Sequence, residues 1–186
     1  MKRKLILASA SPRRKELLSL LGYDFECIPA TKEEDIDLSL PLTQAIEKVS
    51  LAKAKDVYDK YPDALVLGSD TIVTIDSKIL GKPKDENDGF RMLKLLSGRT
   101  HEVITGLAFV SKEEIYVTHE VTKVKFMELS DEEINDYLLT KEPQDKAGAY
   151  ALQGKGGKFI TSIEGDMYTV IGLPLNKVYV YLRSRM

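Results

Sequence analysis

Short apolar runs broken by polar clusters set the rhythm of the first third of the chain. Residues 3 to 8, ending in Leu5-Ile6-Leu7-Ala8, have the pattern of a brief buried strand. Ser11-Pro12 then supplies a helix cap followed by proline at the first helical position. Leu17, Leu18, Leu20 and Leu21 give that helix an apolar face, and Gly22 ends it. Tyr23, Phe25 and Cys27 alternate toward Pro29, which predicts a second strand. After the acidic loop TKEEDIDLSLP, Thr43 is expected to cap a long helix reaching about Lys60. In it Ala45, Ile46, Val49, Ala52 and Val57 keep close to helical spacing.

The pattern then turns toward strands. Ala64 to Leu67 and Thr71 to Ile75 read as two strands flanking Gly68-Ser69-Asp70, and TIVTIDSKIL reads as a hairpin. Asp85 opens a helix with Phe90, Met92, Leu93, Leu95 and Leu96 inside and SGR as its stop. Two longer strands are expected near 101 to 110 and 115 to 127, separated by the turn SKEE. Ser130 with Glu133 forms a capping box for a helix to Leu139. The tail alternates the loop DKAGAYALQGKGG with two predicted strands, KFITSIEG and MYTVIG. A last helix opens at Leu173-Pro174 with Leu175, Val178, Val180 and Leu182. Helices alternating with strands early, and strands dominating the middle, predict an α/β fold with a mixed sheet and flanking helices. No repeat and no linker divides residues 1–186, so a single domain is expected.

Composition narrows the partners. With 43% hydrophobic and 30% charged residues the chain has a globular composition, not a disordered one. The 27 basic and 29 acidic residues leave a net charge of −2, so there is no global attraction to nucleic acid or membrane and any anion site must be a local cluster. Cys27 is the only cysteine, and with His101 and His119 the only histidines, a cysteine-rich or histidine-based metal site is excluded. MKRKLILASA has the charge of a signal peptide, but its apolar stretch of about six residues falls short of the ~7–15 needed, so a cytoplasmic protein is expected.

Candidate chemistry lies in four loops. In SASPRR a strand runs into a capped helix, whose free amides favour anions; Ser9, Ser11, Arg13 and Arg14 add hydroxyls and planar forks suited to phosphate. A capped helix with two solvated arginines accounts for the same residues without a ligand. In GSDT, Asp70 at the end of a buried strand suits a general base or metal ligand, or is simply a turn aspartate bonding local amides. Lys82, fixed between Gly81 and Pro83, could return beside Asp70 across the hairpin. Glu33, Glu34, Asp35 and Asp37 could hold Mg²⁺ or Mn²⁺, or form a solvated charge run. Lys53 and Lys55 pose the same choice: one could turn inward, although helix lysines usually face water. The glycine-rich 145–157 segment has four glycines in ten residues and could admit a flat ring, with the Gln153 amide donating to and accepting from a pyrimidine edge; a flexible turn is the alternative. His101 is expected to be a locally hydrogen-bonded strand residue and His119 to be exposed.

Taken in order, LILASASPRRKELL, Glu33-Glu34, LAKAK, GSDT, GKP, LSGRTHEVITG, DKAGAYALQG and GLP resemble the Maf family from Leu5 to about Val178. The resemblance implies an inosine-triphosphatase-like α/β fold with two lobes around a deep cleft, a homodimer, and a metal-dependent nucleoside triphosphate pyrophosphatase. It implies Asp70 as proton acceptor, and Ser9, Arg13, Arg14, Lys55 and Lys82 along the phosphate path. Glu34 and Glu33, with Asp70, would hold the divalent cation. Arg13, Thr71 and Gln153 would set base preference, in the combination of the branch acting on dTTP and UTP rather than on 7-methyl-GTP. The family's link to septum formation keeps open a nucleotide-binding regulator of division with little catalysis. A nucleic-acid module built on the arginine pair is disfavoured by the −2 charge.

Overall fold

The computed structural model describes residues 3–32 and 35–186. In chain order the elements are β1 (Leu5–Leu7), α1 (Pro12–Ser19), β2 (Phe25–Cys27), α2 (Leu42–Tyr58), β3 (Leu65–Ile75), β4 (Lys78–Leu80) and α3 (Glu86–Leu96). There follow β5 (Thr100–Val110), β6 (Ile115–Phe126), α4 (Asp131–Leu139), β7 (Ile160–Glu164), α5 (Met167–Ile171) and α6 (Leu175–Leu182). Short 3-10 turns lie at Glu142–Asp145, Ala147–Ala149 and Lys155–Phe159. The strands pair in the order β2-β1-β3-β5-β6-β7, with β4 on β3, a mixed α/β sheet as expected. Among the described residues no helix is long and apolar enough to cross a membrane.

Two compact units divide the chain, and β3, β5 and β6 contribute residues to both. The first comprises Met1–Asp70, Thr105–Glu120 and Gly172–Met186. Here β1 runs parallel to both neighbours, Leu7 lying opposite Cys27 on one side and Leu67 on the other. Ile6, Ala8, Ala54, Val57, Val66 and Ala108 form its apolar core, so the buried stripe of α2 is what holds that helix on the sheet. The approach is unusually close because two glycines leave room for it. A Cβ on Gly68 would strike the Ser50 carbonyl oxygen and lie 2.8 Å from the Ala54 nitrogen; one on Gly106 would lie 2.6 Å from the Ile46 oxygen. Gly68 therefore does not turn the chain. Gly68-Ser69-Asp70, expected to separate two strands, lies inside the single strand β3. The start of α2 also differs from expectation: Pro41 is the cap residue, with no side-chain cap bond, and Thr43 is already inside the helix. Proline's fixed φ sets the entry without a capping hydroxyl.

The second unit comprises Thr71–Ile104 and Val121–Ile171. Val73, Leu80, Leu93, Leu96, Phe126, Ile134, Tyr137 and Phe159 lie in one buried cluster. The hairpin β3–β4 pairs Val73 with Leu80 and turns at Asp76-Ser77, both at positive φ (52° and 59°), as a two-residue turn matched to strand twist requires. The capping box of α4 forms as read: Ser130 Oγ accepts from the Glu133 amide, and Glu133 accepts from the Ser130 amide at 2.8 Å. MYTVI, expected to be a strand, is the helix α5. Asp166 precedes it and accepts from the Tyr168 amide at 3.0 Å and the Thr169 hydroxyl at 3.1 Å, a local cap that overrides the strand-like alternation. His101 is buried and hydrogen-bonds Tyr150 through Nε2 at 2.8 Å, so burial lowers its pKa from 6.5 to about 4.

Candidate active site

In the first unit the chemistry gathers around Asp70. Lys53 Nζ donates to Asp70 Oδ1 at 2.6 Å, with the two side chains only 25% and 23% exposed. The backbone N–H of Asp70 donates to Ser50 Oγ at 3.1 Å, and Ser50 in turn donates to the Ile46 carbonyl at 2.8 Å. Ser50 and Lys53 stand three residues apart on one face of α2, and Gly68 is what lets that face descend onto β3. One helix turn thus fixes both the main chain and the carboxylate of Asp70.

The helix lysine beside Asp70 is Lys53, not Lys55. Lys55 lies about 200° further round the helix and is exposed. The periodicity carries that distinction: Lys53 is seven residues after Ile46 and four before Val57, both buried, so it falls within the stripe that packs on the sheet. The ion pair to Asp70 comes from α2.

Arg14 is a second cation whose charge acts on Asp70. Its Nε donates to the Gly172 carbonyl at 2.9 Å, and the Ser69 hydroxyl donates to the same oxygen at 3.3 Å. That shared acceptor ties α1, β3 and the segment before α6 together. Burial lowers the Arg14 pKa, the charge of Asp70 opposes this, and the like charge of Arg13 adds to it. Arg13 and Arg14 are both half-buried. The arginine pair is therefore not a solvated one. Ser11 caps α1, accepting from the Arg14 amide at 3.4 Å, and Ser9 Oγ accepts from the Ser11 amide at 3.1 Å. Both hydroxyls serve the loop's own backbone while keeping further hydrogen-bonding capacity. Because Ala8 N donates to the Leu67 carbonyl at 2.8 Å, the loop leaves β1 within two residues of the level of Ser69.

Thr71, Lys82 and Gln153 belong to the second unit. Thr71 is half-buried within β3, while Lys82, just beyond β4, and Gln153 are exposed. The Gly148 amide donates to the Gly81 carbonyl at 3.1 Å, which holds the 145–157 segment against the residue preceding Lys82. Its glycines face protein neighbours: a Cβ on Gly148 would lie 2.9 Å from Val73, and one on Gly156 would lie 2.5 Å from the Tyr137 hydroxyl. Glu33 and Glu34, the expected metal carboxylates, lie outside the described residues, and among the described residues no cluster of three His, Cys, Asp or Glu side chains could hold a metal ion. His119, expected to be exposed, is half-buried, with Nδ1 2.7 Å from Glu47.

The arrangement around Asp70 suits one task, a fixed carboxylate working beside fixed cations. The comparisons with known proteins bear on which task that is. A family model described as Maf-like protein matches residues 4–185. A dTTP/UTP pyrophosphatase of Aquifex aeolicus is 49% identical over 181 residues, 97% of this chain and 95% of its own length. One of Bacillus cytotoxicus is 50% identical over 182 residues, 98% of this chain and 95% of its own length. A solved structure, a nucleoside-triphosphatase / dITP/XTP pyrophosphatase of Mycobacterium abscessus, is similar at 17% identity and a TM-score of 0.48, covering 98% of this chain and 95% of that one; so distant a likeness carries no weight for fold or chemistry. With the family model spanning nearly all of it and relatives half identical along its length, this chain belongs to the family of Maf-like proteins.

Proposed function

We propose that this chain is a nucleoside triphosphate pyrophosphatase that hydrolyses dTTP and UTP, or modified pyrimidine nucleotides, to the monophosphate and pyrophosphate. The observation that carries the reading is the Asp70 carboxylate, held at 2.6 Å by Lys53 in a chain half identical to curated dTTP/UTP pyrophosphatases. A carboxylate held in one orientation can take a proton from a water molecule as that water attacks phosphorus in line. Asp70 is the base in this reading, and Lys53 orients it. Ser9, Arg13, Arg14 and Lys82 bind phosphate oxygens, the arginines through bidentate forks. Thr71, Gln153 and Arg13 set the choice of base. Fixed guanidinium groups offset the negative charge that gathers on the leaving pyrophosphate, and need not reorganise as it forms.

A divalent cation is part of the reading. Asp70 gives one carboxylate, with Oδ1 already engaged by Lys53. That donor set does not suit an all-protein cage. It suits Mg²⁺ or Mn²⁺, which keep several waters and take one or two carboxylates plus substrate phosphates; Asp70, Glu33 and Glu34 would be the protein ligands. When bound, such an ion neutralises charge on the phosphates.

The test is pyrophosphate release from a panel of ordinary and modified triphosphates, with Mg²⁺ and Mn²⁺ compared. Metal-dependent release, fastest for pyrimidine triphosphates, is expected. Tight nucleotide binding with no pyrophosphate released would overturn the reading in favour of a nucleotide-binding regulator.

A further inference from the structure

The glycine-rich segment that carries Gln153 is braced on both sides by one pair of side chains. Tyr137, in the last turns of α4, is 1% exposed and donates its hydroxyl to Glu142 Oε1 at 2.7 Å. The same hydroxyl accepts from the Ala151 amide, two residues before Gln153, at 3.3 Å. On the other side Glu142 Oε2 accepts from the Lys155 amide at 2.9 Å and Oε1 from the Gly156 amide at 3.1 Å, two and three residues after it. The exposed Gln153 thus stands at the tip of a loop whose two legs end on a single phenol–carboxylate pair.

Three further observations indicate that the loop is built around this pair. A Cβ on Gly154 would lie 2.5 Å from Glu142 Oε2, and one on Gly156 would lie 2.5 Å from the Tyr137 hydroxyl. Two of the glycines that in sequence suggest room for a ligand ring thus make room for the brace. Lys141, at a left-handed φ of 61°, turns the chain out of α4 so that Glu142 faces the loop. Phe159 packs edge-on against the Tyr137 ring, with centroids 5.1 Å apart, and fixes the phenol from the far end of the segment. Burial opposes ionisation of Glu142, but the Lys155 amide, the Tyr137 hydroxyl, the Gly156 amide and the charge of Lys146 outweigh it, so its pKa is lowered. Tyr137, buried and beside that carboxylate, is held well above the ordinary tyrosine value.

We infer that Glu142, with Tyr137, is a positioning residue for base selection: it fixes the loop 151–156 so that the Gln153 amide meets a pyrimidine edge in one orientation. This rests on the reading of Gln153 given above. A hydrogen-bonding site discriminates only as well as its donors and acceptors are held, so freeing the loop weakens recognition of the right base more than it slows the chemistry.

The experiment compares kcat and KM for dTTP and dGTP in the parent, Glu142→Gln, Tyr137→Phe and Gln153→Ala, with amide hydrogen exchange over 151–156. Glu142→Gln keeps the shape but turns an NH2 toward a donor that needs an acceptor. The expected result is faster exchange at Lys155 and Gly156 and a fall of about tenfold in the dTTP/dGTP ratio of kcat/KM, carried by KM for dTTP. Tyr137→Phe should act in the same direction by about threefold, since it removes the Ala151 leg and the hydroxyl bond to Glu142 but leaves the Lys155 and Gly156 amides on the carboxylate. A folded Glu142→Gln enzyme with the parent ratio, or with kcat reduced equally for both nucleotides, overturns the inference; if that variant does not fold, Tyr137→Phe decides by the same criterion. Failure of the underlying reading looks different: a parent without pyrimidine preference, or a Gln153→Ala enzyme that keeps it, removes the basis for base reading by Gln153 whatever the brace does.

Discussion

Gly68→Ala tests whether the close seating of α2 on β3 builds the Asp70 site. The added Cβ would strike the Ser50 carbonyl oxygen and lie 2.8 Å from the Ala54 nitrogen and 2.9 Å from the Ala54 Cβ. Carbon atoms pack without repulsion at about 3.5–4.0 Å, so α2 must retreat by roughly 1 Å. Overpacking of this kind costs about 1–3 kcal/mol. At about 2–4 °C per kcal/mol for a chain of this size, a 2 kcal/mol loss lowers Tm by about 4–8 °C. The catalytic effect should be larger. Lys53 rides on the same helix turn, and a retreat of about 1 Å stretches its 2.6 Å bond to Asp70 beyond hydrogen-bonding length. Misplacing a catalytic group by that distance costs on the order of 10²-fold. Thermal melting and the rate of pyrophosphate release from dTTP read the two effects separately. Gly81→Ala, where a Cβ meets nothing within 4 Å, is the melting control and should match the parent. A Gly68→Ala protein with parent Tm and parent turnover would refute the claim that this approach sets the site.

Lys53→Met should lower kcat for dTTP by about 10–100-fold, the loss expected of a charge-assisted hydrogen bond worth about 1.5–3 kcal/mol, whereas Lys55→Met, at an exposed position, should stay within about twofold; stopped-time assays of both variants check the assignment, and equal losses would contradict it. His101 makes stability depend on pH. Its folded pKa of about 4 lies below the ordinary 6.5, so the folded state binds fewer protons; its contribution is complete above pH 6.5 and is lost as pH falls toward 4. The loss has an upper bound of about 3 kcal/mol from one buried imidazole. Urea midpoints at pH 7.5, 6 and 5 should fall in the parent and fall less in His101→Gln; parallel curves would sink the assignment.

Much of this molecule is written locally in the chain. Ser11-Pro12, Ser130 with Glu133, and Asp85 each mark a helix start through a hydrogen bond that the helix then makes. Asp76-Ser77 between alternating apolar runs gives the hairpin. What escaped local reading depends on residues far apart in sequence or on short segments. Gly68 has the signature of a turn, but its role is to admit α2, a partner more than ten residues upstream. The five residues of α5 are too few to show helical periodicity, so Tyr168 and Val170 read as strand until Asp166 is seen to cap them. Of the candidate site, Asp70 and Arg14 stand out in the sequence by type and context. Lys53 is visible only by counting from Ile46 and Val57, and Glu142 is hidden because two of its three partners are backbone amides, which have no sequence signature.

If Asp70 is the group that takes the proton from water, a change of one carboxylate oxygen to an amide nitrogen removes turnover and leaves the substrate bound. Pyrophosphate release from dTTP by Asp70→Asn, measured beside the dTTP affinity of the same protein, should fall by about 10²–10⁴ with affinity changed by no more than a few-fold. Release at the parent rate would contradict the account.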